Sequence, residues 1–127
     1  MIVLDASVLI AQLDQDDALH AAARERLRTA VKQRFDFGAS TITIAEVLVS
    51  PTSSGTLRTA RAALRALTVV ELPLPSDAAE RLAALRVETG LKLPDCCVLL
   101  AAEATDGAVL TFDERLASVA AERGLAV

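Results

Sequence analysis

The chain has 127 residues, a formal net charge of −4, and a composition that is 53% hydrophobic but only 2% aromatic. This length predicts one domain, residues 1–127, with a core built mainly from Ala, Leu and Val. No apolar run approaches the roughly 20 residues that cross a bilayer and no signal peptide is recognised, so we expect a cytoplasmic protein without membrane association. A single His and two adjacent cysteines argue against a zinc ligand set and a disulfide framework.

Five short segments of apolar or β-branched residues have the pattern of buried parallel strands. They are residues 2–4, 39–42, 69–72, 108–111 and 125–127. Helical patterns occupy residues 7–13, 17–32, 44–49, 57–67, 76–89, 95–105 and 113–123. Residues 51–55 are predicted to form a loop between helices. Because strands alternate with helices, we predict an α/β fold, a three-layer sandwich with a short, mostly parallel five-stranded sheet flanked by helices.

Four acidic residues fall at corresponding points of this predicted architecture. Asp5 ends the first strand, Glu46 follows the second, and Asp113 follows the fourth. Asp95 opens a helix that leads straight into the fourth strand, so that helix must also begin at the carboxyl edge of the sheet. Crossover helices run antiparallel to the strands they connect, so all four carboxylates are expected at this edge, where open α/β folds bind ligands.

Carboxylates gathered at one edge repel one another and need a compensating charge. Mg²⁺ and Mn²⁺ are hard ions that prefer oxygen ligands. Two such ions about 4 Å apart can activate a water and stabilise the leaving oxygen of a phosphodiester. The pattern therefore indicates metal-dependent hydrolysis. Asp5 and Asp95 are the expected main ligands, and Glu46 and Asp113 are expected to complete the site directly or through water.

Each acid also has an interpretation that needs no metal. In this interpretation Asp5 simply initiates the turn Asp5-Ala6-Ser7 that leads into a helix. Residues 43–46 and 111–114 both match the capping box of a helix N-terminus. Asp95 follows Pro94 in a first helical turn, where the helix dipole favours a carboxylate. Caps alone do not account for Asp5, because it ends a wholly apolar strand in which an unpaired buried carboxylate is costly.

Other polar residues are candidates for supporting roles. Ser7 and Thr111 each lie two residues from an acid of the set, and they either orient carboxylates and bound water or cap helices. Arg58, Arg61 and Arg65 have the spacing of one helix face, in a segment without acids. These arginines either form a solvated face or contact the phosphate backbone of a nucleic acid.

In four motifs the chain resembles the PIN-domain family, and in particular the small VapC-type toxins of bacterial toxin–antitoxin pairs. The motifs are Ile-Val-Leu-Asp-Ala-Ser-Val-Leu-Ile at residues 2–10, the isolated Glu46, Leu-Pro-Asp at 93–95, and Leu-Thr-Phe-Asp at 110–113. The resemblance spans nearly the whole chain in length, motif order and spacing.

The resemblance implies a five-stranded parallel sheet, a Mg²⁺- or Mn²⁺-dependent ribonuclease, inhibition by a cognate antitoxin protein, and a homodimer. The metal-binding acids of the family carry over to the four acids of this chain, which are Asp5, Glu46, Asp95 and Asp113. Some members add one more Asp soon after the last of these, where this chain has Glu114.

We therefore predict an endoribonuclease, the toxin component of a type II toxin–antitoxin system, that cleaves RNA with a metal-activated water. The alternative is a module that binds RNA or a partner protein without cleaving it and keeps a structural metal site. A phosphatase is a weaker interpretation, since Ala6 and Ser7 follow Asp5 where an Asp-x-Asp nucleophile pair is needed. The absence of a Gly-x-Gly-x-x-Gly motif after the first strand argues against dinucleotide binding.

Overall fold

The computed structural model describes residues 1–127 and shows a parallel sheet of four short strands with helices on both faces. The strands are β1 Ile2–Leu4, β2 Phe37–Ser40, β3 Val70–Leu72 and β4 Ala108–Leu110. The helices are α1 Ala6–Leu13, α2 His20–Lys32, α3 Thr41–Ser54, α4 Leu57–Ala66, α5 Ala78–Thr89, α6 Leu93–Thr105 and α7 Glu114–Glu122. The predicted α/β fold is confirmed, and none of its helices is both long and apolar enough to cross a membrane.

The order of the strands creates a crevice at one edge of the sheet. The order is β3-β2-β1-β4, and every neighbouring pair is parallel. From β1 the chain crosses to β2 and β3 on one side, and it later returns to β4 on the other side. The direction of winding therefore reverses next to β1, and a ligand-binding crevice is expected at the carboxyl ends of β1 and β4. Asp5 and Asp113 follow these two strands.

Two hydrophobic clusters pack on opposite faces of the sheet, and β1 contributes to both. Ile2 and Leu4 belong to the cluster formed with α1 to α4, whereas Val3 belongs to the cluster formed with α5 to α7. Alternate residues of a strand point to opposite faces, so β1 is buried on both sides, with side chains at most 2% exposed. This burial explains why the segment before Asp5 is wholly apolar.

The boundary between β2 and α3 differs from the prediction. The strand ends at Ser40, whose hydroxyl accepts a 3.3 Å hydrogen bond from the Ile42 amide and caps α3. The β-branched run of residues 41–44, predicted as strand and helix start, is therefore the first turn of the helix. Burial of Thr43 and Ile44 against the core overrides their preference for strands. The capping box proposed for residues 43–46 is also wrong, because Thr43 lies inside α3.

The loop predicted at residues 51–55 is wrong as well. The helix α3 continues through Pro51 to Ser54 and ends at Gly55, whose φ of 78° is the left-handed conformation that glycine adopts readily. Pro51 has no amide hydrogen and so makes no hydrogen bond to the preceding turn. Its carbonyl, however, accepts a 2.8 Å bond from the Thr56 amide, which secures the end of the helix.

The fifth predicted strand, residues 125–127, is reduced to a single parallel bridge between Ala126 and Val109. The Leu125 amide is still held by the end of α7, where it donates to the Ala120 carbonyl at 2.8 Å. Because this part of the segment is committed to the helix terminus, the sheet has four strands rather than five. The other predicted helices and strands lie within three residues of their observed bounds.

Candidate active site

Asp5 is the one charged residue among the buried side chains, at 7% exposure. It lies between β1 and α1, at the point where the winding of the sheet reverses. Its Oδ2 accepts hydrogen bonds from the Ser7 and Thr111 hydroxyls, both at 2.7 Å. Its Oδ1 accepts none from the protein. The carboxylate is therefore held rigidly by one oxygen while the other remains available to a ligand.

The two hydroxyls are themselves oriented by the backbone after β4. The Phe112 amide donates to Ser7 Oγ at 3.0 Å, and the Asp113 amide donates to Thr111 Oγ1 at 3.0 Å. Since each hydroxyl accepts from an amide and has one proton, both protons are free to point at Asp5. The structure thus places Ser7 and Thr111 beside the buried acid.

Glu46 projects from α3 toward the same edge. Burial raises the pKa of the Glu46 carboxyl, and the negative charges of Asp5 and then Asp95 raise that pKa further. Glu46 is exposed to solvent, so the surrounding protein removes only part of the hydration of its carboxyl group. The influence of the two neighbouring acids shows that Glu46 belongs to their cluster.

Asp95 occupies the first turn of α6, where the helix N-terminus meets the crevice. Burial raises the pKa of Asp95, and the charges of Asp5 and Asp113 raise it further. Lys92 and Arg115 partly offset this increase in the Asp95 pKa. Asp95 therefore lies within electrostatic reach of each of the other three acids, which are far from it or from one another in the sequence.

Asp113 has a structural task in addition to its place at this edge. It is the N-cap of α7, and its Oδ1 accepts a 2.9 Å hydrogen bond from the Leu116 amide. The capping box predicted for residues 111–114 is therefore wrong, because the N-cap of α7 is Asp113 and not Thr111. One oxygen of Asp113, Oδ2, is left without a protein donor.

The chemistry of the donor set fits Mg²⁺ or Mn²⁺. The charged groups of the cluster are four carboxylates, and burial and mutual repulsion raise the pKa of Glu46 and of Asp95. Oδ1 of Asp5 is free of protein donors, and carboxylate oxygens are the ligands that these ions prefer. As the side chains stand, no three acidic, imidazole or thiol groups converge closely enough to hold one ion. Ligation by three residues therefore requires side-chain rotation toward a common point.

Sequence reasoning missed Lys92 and Arg115 as parts of this site. Arg115 reaches from α7 to the loop before α6, where its Nη2 lies 3.4 Å from the Gly90 carbonyl oxygen. Both residues are exposed, and both act on the charge of Asp95. The available signal was their position, since each lies two or three residues from a predicted metal ligand.

The three arginines proposed to contact RNA lie on the exposed side of α4, opposite the buried Ala60 and Leu64. Arg61 lies 4.0 Å from Glu71 of β3, so part of its charge is compensated. No hydrogen bond or ion pair connects Arg58, Arg61 or Arg65 to the four acids. The structure therefore leaves these residues on a separate surface.

The PIN domain family model matches residues 2–122 of the chain. No curated protein sequence matches this chain. Among solved structures, the chain is similar to a toxin–antitoxin complex from Klebsiella pneumoniae, with a TM-score of 0.70 and 28% identity over 87% of this chain and 85% of that one.

Two further solved structures share the fold at lower identity. One is Mycobacterium tuberculosis VapC20, a sarcin-ricin loop cleaving toxin, with a TM-score of 0.73 and 17% identity over 94% of this chain and 95% of that one. The other is VapBC2 from Rickettsia felis bound to a DNA fragment from its promoter, with a TM-score of 0.67 and 15% identity over 87% of both chains. At these identities the likeness concerns the fold alone.

Proposed function

Because the chain belongs to the PIN domain family, we propose that it is a metal-dependent endoribonuclease and the VapC-type toxin component of a type II toxin–antitoxin system. The observation that carries this proposal is the environment of Asp5. A buried carboxylate at the reversal point of the sheet, anchored by two hydroxyls and leaving one oxygen free, is built to ligate a cation rather than to stabilise the fold.

We assign metal binding to Asp5, Asp95 and Asp113, which would hold Mg²⁺ or Mn²⁺. When bound, the metal supplies an activated water and charge stabilisation for the leaving oxygen of a phosphodiester. Ser7 and Thr111 keep Asp5 in one orientation. Glu46 lies outside this ligand set, and its place beside Asp5 and Asp95 suits it to orient the attacking water or accept a proton from it.

Cationic side chains near the acids attract the RNA backbone to a site that is otherwise negatively charged. Lys92 and Arg115 lie beside Asp95 and are placed to contact the phosphates that flank the cleaved bond. Arg58 and Arg65 on α4 are a more distant backbone contact. Such charges offset the repulsion between the acids and the polyanionic substrate.

The proposal is tested by incubating the purified protein with total RNA of the native host in Mg²⁺ or Mn²⁺ and, separately, in EDTA. New RNA ends are then mapped. We expect discrete ends that require metal and are absent with Asp95→Asn, while Asp16→Asn, an exposed acid outside the site, cleaves normally. A folded, metal-loaded protein that binds and protects RNA equally in metal and EDTA, without new ends, would establish the non-cleaving binding module instead.

The proposal includes an antitoxin protein, a homodimer and a cytoplasmic location, where the RNA substrate is. Similarity to the Klebsiella pneumoniae toxin–antitoxin complex supports the first. Exposed apolar side chains supply surface for partners, among them Val49 at 67%, Val87 at 85% and Leu93 at 53% exposure. Affinity purification from the native host should recover a small stoichiometric protein, and light scattering should give twice the chain mass. Recovery of the chain alone as a monomer would contradict both assignments.

A further inference from the structure

A cavity of about 260 Å³ lies beside Glu46, between α1 and the C-terminal half of α3. Ile10, Leu13 and Val47 form apolar walls of this cavity. Ile10 is 41% exposed, so its apolar surface is accessible to a ligand in the cavity. Ligand pockets for drug-sized molecules are larger, about 300–1,000 Å³, so this cavity suits a single flat group.

The charge of the lining excludes a phosphate as the occupant. The charged residues that line the cavity are Asp14 and Glu46, and no Lys or Arg is among the lining residues. A phosphate placed there would meet two like charges without a compensating cation. An uncharged group with apolar faces and polar edges, which is the description of a nucleobase, meets no such penalty.

Asp14 provides the means to distinguish one base from the others. It ends α1, and its Oδ1 accepts a 3.0 Å hydrogen bond from the Asp16 amide, which holds the carboxylate in place. Its Oδ2 accepts none from the protein. A carboxylate can accept two parallel N–H donors. Guanine is the RNA base whose Watson–Crick edge carries two adjacent donors, N1–H and N2–H, and unpaired bases in RNA are recognised along this edge.

We propose that the cavity between α1 and α3 is a subsite for an unpaired guanine of the RNA substrate, recognised by the Asp14 carboxylate. This assignment rests on the proposed ribonuclease function. The base stacks against Ile10 and Leu13. Ser50, whose hydroxyl makes no hydrogen bond within the protein, is a donor for the guanine O6. Because Glu46 belongs to both the cavity and the acidic cluster, the guanine lies next to the cleaved bond and sets the cleavage preference.

A guanidinium group from a partner protein is the competing occupant, since it would also pair with carboxylates. It would use Asp14 and Glu46 but leave most of the 260 Å³ and the apolar walls unfilled. A nucleobase is larger than a guanidinium and would contact the apolar walls as well as the carboxylate, and for this reason we favour it.

The test is an NMR titration of the ¹⁵N-labelled full chain with GMP, AMP, CMP and UMP in EDTA. The four probes share the same phosphate and ribose, so any difference between them comes from the base. We expect GMP to bind at least roughly fivefold more tightly than UMP, the lower end of what one bidentate base contact provides. The amide shifts should centre on Ser50 and Thr56. Equal binding of the four nucleotides, or shifts elsewhere, would overturn the proposal.

Variants then assign the preference to one side chain. Asp14→Asn should abolish the preference for GMP, Asp14→Ser should do the same through a different side chain, and Asp16→Asn should keep it. Retention of the preference by both folded Asp14 variants would overturn the proposal. The proposal would also be overturned if arginine amide bound in place of GMP and this binding were lost in Asp14→Asn. That result would assign the cavity to a cationic group of a partner protein.

The titration contains no metal and involves no cleavage, so it separates this proposal from the ribonuclease function. A GMP preference that depends on Asp14, together with no metal-dependent RNA ends, would support the subsite and reject the nuclease. Metal-dependent ends with no guanine preference at the mapped positions and no GMP binding would support the nuclease and reject the subsite.

Discussion

Thr111 donates a 2.7 Å hydrogen bond to Oδ2 of Asp5 across 106 positions of sequence, and this bond connects the ends of β4 and β1. Ser7 donates to the same oxygen, and its Oγ lies 3.4 Å from Thr111 Oγ1. The buried acid is therefore positioned by two segments that meet only because β1 and β4 are neighbours. The geometry of Asp5 depends on the pairing of these strands.

Thr111→Val tests this dependence. The variant keeps the shape of the side chain but removes a donor to the buried carboxylate and an acceptor for the Asp113 amide. We expect the free energy of unfolding to fall by about 1–3 kcal/mol, the cost of a buried polar group left without its partner. Urea unfolding measures the change. Thr105→Val is the matched control, because its hydroxyl bonds only to backbone carbonyls within α6 and should cost less.

Removal of one acid should change how stability depends on pH in the absence of metal. The folded-state pKa of Asp95 lies above its usual value of 3.8. The unfolded state keeps the ordinary pKa of 3.8, whereas the folded state has the raised pKa. At pH values between the two, the native state binds more protons than the unfolded state, so Asp95 makes the protein less stable as pH rises through this range. In EDTA, the stability of the native chain relative to Asp95→Asn should therefore fall as pH rises above about 3.8.

The measurement is chemical unfolding of both proteins at a series of pH values. Asp16→Asn serves as the control for loss of one exposed charge. If the native chain instead became more stable relative to Asp95→Asn as pH rises above about 3.8, the crowding of like charges at this edge would be contradicted.

In a chain made inactive by Asp5→Asn, the further change Arg115→Gln should weaken RNA binding. If Arg115 neutralises one phosphate of single-stranded RNA, the slope of log binding constant against log salt should become smaller by about 0.7. Lys92→Gln should behave in the same way. Fluorescence anisotropy over a range of salt concentrations measures both. A larger effect of Arg58→Gln, on the outer face of α4, would instead place the RNA path along that helix.

Gly107→Ala should destabilise the pairing of β4 with β1, on which the geometry of the site depends. A Cβ at Gly107 would lie 2.9 Å from the backbone carbonyl oxygen of Met1, where β4 begins beside β1. The backbone cannot yield as a side chain can, so we expect a loss of about 1–3 kcal/mol in stability. Gly38→Ala is the comparison, because its close neighbours at 2.8 Å are the ends of the Leu72 and Met1 side chains. Thermal unfolding should show the smaller effect for Gly38→Ala.

Hydrophobic patterning alone predicted the parallel α/β architecture. The wholly apolar segments before Asp5 and Thr111 reflect strands covered on both faces, and this property is visible in any stretch of sequence long enough to form a strand. The expectation that the acids share one edge followed from topology, because a strand's end and the next helix's start lie at the same side of a parallel sheet. These inferences needed no knowledge of which strands are neighbours.

Three features of the structure could not be predicted from hydrophobic patterning. Residues 41–44 have the composition of a strand but form the first turn of α3, since burial of Thr43 and Ile44 decides their conformation. Pro51 lies inside the same helix, although proline usually ends one. The segment after Gly124 pairs with β4 by one bridge only.

The sequence by itself determined the fold class and the set of acids, because alternation of apolar segments and the residues at their ends are local properties. Only the tertiary structure decided how those acids are held. The strand order puts Ser7 and Thr111 on one oxygen of Asp5, sets Asp113 as a cap, and brings Lys92 and Arg115 beside Asp95. These contacts join residues distant in sequence, and their geometry depends on the packing of the whole sheet.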